Sequence, residues 1–94
     1  MDAEEVPDPD IRGYYYDLGI TINGEAVYGN AVTQEASTWF IYCFDDQADI
    51  YIINGSLNVH PNPGDEAHWL NSSLTGTYTP VGESATGEVV VIAL

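Results

Sequence analysis

The chain contains no lysine, one arginine (Arg12), one cysteine (Cys43) and two histidines, His60 and His68. So few cations exclude direct recognition of nucleic acid, because phosphate binding needs Lys and Arg to displace counterions. The same scarcity excludes docking on anionic membranes, which attract basic segments. One Cys cannot close an internal disulfide, so the fold is not a cystine-stapled scaffold. The longest apolar run, 89–94, is far short of the ~20 residues of a membrane-spanning helix. Met1-Asp2-Ala3-Glu4-Glu5 has neither the basic start nor the apolar stretch of a signal peptide. A cytosolic chain, or a mature form with a replacement Met, is therefore expected. No stretch carries a helical apolar stripe longer than about two turns.

What the chain does have is acid. Fifteen Asp and Glu face Arg12, a formal net charge of −14 over 94 residues. That length makes one domain, with a core that is modest but sufficient without staples. Apolar residues make up 45% and aromatics 12%. Disordered sequences combine high charge with low hydrophobicity, and only the first half of that signature is present. Two sequons, Asn54-Gly55-Ser56 and Asn71-Ser72-Ser73, fit the glycosylation consensus. Chance accounts for them at this frequency of Asn and Ser.

Residues 1–10 hold five acids, two prolines and Val6, and read as an acidic flexible tail. Ten acids against Arg12 leave residues 11–94, the single β domain, at −9. Tyr14, Tyr16, Leu18, Ile20 and Ile22 alternate with polar or small residues, the period of a half-buried strand. Asn23-Gly24 follows, a strong hairpin signal because both residues accept positive φ. A two-residue loop pairs Ile22 with Glu25, Ile20 with Val27, Leu18 with Gly29 and Tyr16 with Ala31. Thr38 to Phe44 is apolar on both faces. Ile50 to Val59 reads as a strand with a bulge at Gly55, where the apolar parity switches. His60 to His68 is a Pro- and Gly-rich loop. Trp69 to Val81 reads as one element that Gly76 breaks or bends, and Thr86 to Leu94 ends in an apolar run. Val, Ile, Thr and Tyr abound, as strands prefer. The fold expected is all-β: about six mostly antiparallel strands in a meander, closed as a barrel or folded as a two-layer sandwich.

In an up-and-down meander of six strands, alternate turns share an end. Glu25, then Asp45, Asp46 and Asp49, then Glu83 fall at one end. Glu35, Asp65 and Glu66 fall at the other, where the tail also enters. Only Asp17 and Glu88 lie within strands. Charged turns aid solubility and blunt sheet edges. Solubility does not account for the missing cations, since a soluble surface usually mixes both signs. A one-sign surface suggests a cationic partner or a high-salt setting. Carboxylates at i, i+2 on a strand, about 6.6–6.8 Å apart, would imitate a phosphate ladder. No strand here carries them.

Sites for chemistry are sparse. His60, Asp65 and His68 could together ligate zinc, but their spacing matches no standard motif. Asp45, Asp46 and Asp49 lack the pattern of a calcium loop and read as an acidic turn. Cys43, between Tyr42 and Phe44, reads as a small hydrophobe rather than a nucleophile. There is no nucleophile elbow and no phosphate-cradling glycine loop. No enzymatic activity, cofactor or metal is expected. In the paired register Tyr15, Tyr28, Tyr51 and also Trp69 take outward parity. Such rings serve as protein-interface anchors or carbohydrate platforms, or they cover a second layer of a sandwich.

In size, charge and want of lysine the chain is similar to the general run of phage anti-restriction and anti-CRISPR proteins. The resemblance is one of composition, with no motif behind it. It implies a small non-enzymatic inhibitor that blocks a basic nucleic-acid-binding surface of a host protein. The contacts expected are Glu25, Asp45, Asp46, Asp49, Glu83, Tyr15, Tyr28 and Tyr51. The alternative is a structural or surface β module, such as a virion decoration subunit or a secreted or lipoprotein domain. That module would form homo-oligomers through Val89 to Leu94. The first reading implies the host cytoplasm and the second the virion or cell exterior.

Overall fold

The computed structural model describes residues 7, 9–45, 50–57, 67–82 and 84–93. Seven strands form in chain order: β1 (Tyr16–Ile22), β2 (Glu25–Gly29), β3 (Phe40–Asp45), β4 (Ile50–Asn54), β5 (His68–Asn71), β6 (Gly76–Val81) and β7 (Val89–Val91). Each pairs antiparallel with its chain neighbour, in one sheet of order β1-β2-β3-β4-β5-β6-β7. The chain is thus an all-β meander in a single small domain, and its one sheet curls into a half-barrel. No described residue is helical.

Seven strands replace the expected six because Trp69 to Val81 is a hairpin. Asn71 Nδ2 donates to the carbonyls of Ser73 (2.9 Å) and Thr75 (3.0 Å), and Ser73 Oγ donates to the Thr75 carbonyl (2.6 Å). Asn71 and Ser73 thereby tie the turn from within, and Gly76 opens β6 at φ +114°. The parity switch near Gly55 marks the end of β4 at Asn54 rather than a bulge. Residues 58 and 59 of that expected strand lie outside the described residues.

The first hairpin turns at Asn23-Gly24 with φ of +54° and +79°. Ile22 pairs with Glu25 and Thr21 with Ala26, as the two-residue loop requires. Further along, Asp17 pairs with Tyr28 and Tyr16 with Gly29, so the expected pairs Leu18–Gly29 and Tyr16–Ala31 do not form. The register slips because the Asp17 Oδ1 accepts the Gly19 N–H at 2.9 Å while Gly19 takes φ +76°. This local bond competes with the ladder and places extra chain in β1.

Both faces of the sheet are apolar. Tyr28, Ile41, Ile53, Trp69 and Pro80 form one line of cross-strand partners. Tyr42, Ile52, Leu70 and Thr79 form the next. Adjacent lines face opposite sides because side chains alternate. On one side Ile41, Ile53, Trp69 and Tyr78 pack with Ile11 and Ala85. On the other, Val27, Phe40, Tyr42 and Ile52 pack with Leu18, Ile20, Ile22 and Leu70. Curling brings β1 over the second group. The segment 11–15 and the chain from Ala85 through β7 cover the first.

Candidate functional site

Two surfaces follow from this arrangement: acidic sheet ends and an apolar cleft. Glu25 opens β2 beside the Asn23–Gly24 turn, and Asp45 closes β3 at the same end of the sheet. Asp46, Asp49 and Glu83 lie outside the described residues. The topology does show from which end of the sheet the β6–β7 connection leaves. Splitting 69–81 into two strands adds one reversal of direction. The β6–β7 connection therefore leaves the sheet from Val81. Val81 pairs with His68, and the line runs on through Asn54, Phe40 and Gly29. That line is the end opposite Glu25 and Asp45.

Of the acidic side chains described, Asp10, Asp17, Glu25, Glu35 and Glu88 are all exposed. Arg12 grips Asp10 with two bonds, Nε to Oδ1 at 3.0 Å and Nη2 to Oδ2 at 3.1 Å. Its backbone N–H also donates to Oδ1 at 3.1 Å. These hydrogen bonds hold the Asp10 carboxyl below the ordinary carboxylate range. The one cationic side chain is thereby matched by an acid two residues away.

The aromatic residues are largely packed. Trp69 is 0% exposed, which corrects its outward assignment. Its indole N–H donates to the Gly87 carbonyl at 2.8 Å, and Trp39 meets it edge-on with centroids 5.9 Å apart. The expected outer face is a second core, because the curl folds it against 11–15 and 85–91. Tyr15, Tyr28 and Tyr51 are half-buried against that core. The Tyr15 hydroxyl donates to the Ile11 carbonyl at 2.8 Å, and the Tyr78 hydroxyl to the Leu74 carbonyl at 2.7 Å. Burial, with the nearby Asp10 charge for Tyr15 and Tyr51 for Tyr78, pushes both phenols above their ordinary range.

The half-barrel does not close, since β1 and β7 are its edges. Between the segment 11–15 and the segment 89–93 runs a cleft of about 690 Å³. Tyr28, Ile41 and Ile53 form its floor, and Leu74 and Thr75 close part of its wall. Tyr14, Val90 and Ile92 stand exposed around it at 68%, 64% and 70%. Tyr15 and Tyr28 line the cleft; Tyr51 does not.

The chain matches no protein-family model, no curated protein and no solved structure. The surfaces must speak for themselves.

His68 is buried beside its cross-strand partner Asn54. His60, Asp65 and Glu66 lie outside the described residues. Among the described residues, no three His, Cys, Asp or Glu side chains gather in a metal-binding group. Cys43 is buried in β3 between Tyr42 and Phe44. No periodicity in the sequence marks the cleft. Its one signal in the sequence is the apolar run from Val89.

Proposed function

We propose that this protein is a small non-enzymatic binding module that docks by negative charge on a basic protein surface, as an anti-defence inhibitor of a nucleic-acid-binding enzyme would. One observation carries the reading. Fifteen acids face a single cation, and that cation is already paired with Asp10. Five acidic side chains from separate parts of the chain are exposed to a partner. Such a field speeds encounter with a cationic surface and rejects anionic ones.

Immobilised full-length protein tests this against lysate fractions at rising salt. The expected captives are basic nucleic-acid-binding proteins that elute as NaCl rises from about 0.1 to 0.5 M, where the screening length falls. Retention that ignores salt, or capture of acidic proteins alone, sinks the reading. A second reading, a structural or surface β module, has the exposed Val90 and Ile92 in its favour. Light scattering separates the two: a stable homo-oligomer supports the module, a monomer the inhibitor.

A further inference from the structure

We infer that the cleft between 11–15 and 89–93 takes an extended segment of the basic partner, which adds as a strand to the outer edge of β7. The inference rests on the charge-docking reading above and names where that partner would insert. β7 pairs with β6 on one side only, through Val89, Val90 and Val91. The same three residues line the cleft. Sheet edges are normally blunted by lysine, proline, a bulge or inward-pointing charge. Residues 89–93 carry no charge and no proline, and Val90 and Ile92 project apolar surface into solvent. An edge of this kind is a template for strand addition, in which main-chain bonds supply affinity and alternate side chains supply specificity.

Charge selects the occupant. Asp10 and Glu88 flank the two chain segments that form the cleft walls. Asp17 sits on the strand position paired with Tyr28 of the cleft floor. All three are exposed; with Arg12, which lines the cleft and is held by Asp10, these four groups sum to −2. A second copy of this chain would bring another −14 to the same place. An extended segment with alternating apolar and Lys or Arg residues would fill the cleft with one set of side chains. It would meet the acidic rim with the other.

The probe is the peptide Val-Lys-Val-Lys-Val-Lys-Val, titrated into the ¹⁵N-labelled full-length protein. Controls are the Val-Glu analogue and the same Val-Lys peptide with a central proline. Expected are amide shifts concentrated at 13–15 and 89–92, absent with both controls. Val90→Ser and Val90→Lys should each weaken binding about tenfold or more. Val90 is exposed, so both variants should keep the wild-type spectrum elsewhere. Suppose the Val-Lys peptide or a captured basic protein binds in a salt-dependent way, but Val90→Ser leaves it unchanged. The cleft assignment then fails while the charge reading stands. If nothing basic binds at all, the charge reading itself fails. A dimer in sedimentation that Val90→Ser dissolves, or laurate giving the same shifts when the peptide gives none, overturns the assignment in favour of a second copy or a small apolar ligand.

Discussion

Gly29 and Gly19 show how one residue type serves two unrelated purposes. A Cβ on Gly29 would run into Ser37 Oγ, and would stand 2.9 Å from the Ser37 Cβ and 3.0 Å from Leu18 Cδ1. Its backbone has no positive φ, so the need is for space alone. Ser37 is itself fixed: its hydroxyl donates to the Thr33 carbonyl at 2.8 Å and accepts from the Ala31 N–H at 3.2 Å. Gly29→Ala should therefore cost about 1–3 kcal/mol, the range for overpacking. The midpoint of urea unfolding measures it. Gly29→Ala and Ser37→Gly should be non-additive, since removing the Ser37 side chain empties the space that the new methyl needs. Additive effects would show that the two do not share that contact. The period-two pairing across a two-residue loop puts Gly29 opposite Leu18 on one face. The structure keeps Leu18 beside Gly29 but adds Ser37 from a loop, a contact that no periodicity encodes.

At the scale of elements, β1 is the instructive case. Its alternation from Tyr14 to Ile22 reads as one unbroken strand, and half of that reading holds. Thr21 and Ile22 pair as the Asn23-Gly24 turn demands. Asp17 and Gly19 then make their own bond and shift the rest of the ladder. Nothing lies within 4 Å of a Cβ built on Gly19, but its φ is +76°. Gly19→Ala thus tests the backbone without a packing term. It should cost about 1–2 kcal/mol by chemical denaturation, the penalty of left-handed backbone for a residue with a Cβ. A neutral result would mean that β1 relaxes into the uninterrupted register. The same competition between side-chain bonds and ladder explains the missed hairpin at 72–75. There Asn71 and Ser73 cap the turn without the dipeptide that marks the first one. β3 was legible for a different reason. A strand apolar on both faces needs two cores, and both are present.

For the whole molecule, charge opposes the fold. The chain carries −14 over 94 residues, and the exposed Asp10–Arg12 pair offsets little of it. Self-repulsion of that kind is screened by salt, with the screening length falling from about 30 Å at 0.01 M to about 3 Å at 1 M. The melting temperature should rise as NaCl is added over this range, as circular dichroism at 218 nm would follow. A fall would mean that attractive pairs dominate the surface. Asp10 acts in the opposite direction and only locally. Its carboxyl is held below its unfolded value, so its contribution is present above that value and fades as pH drops through the lower one. The residue is exposed, so neutralising the remaining acids governs the acid limb.

The sequence by itself determined the all-β character, the hairpin at Asn23-Gly24 and the size of the charge. These are local or additive properties: strand period, turn conformation and a count of ionised groups. Tertiary structure decided which apolar face is covered, and by what. Trp69 and Tyr28 had outward parity in the chain, yet the curl laid 11–15 and 85–91 over them. The number of reversals decided the end of the sheet from which the β6–β7 connection leaves. The cleft beside β7 exists because the half-barrel stops short of closing. Closure depends on how far seven twisted strands turn together, a sum over the whole sheet that no single segment carries.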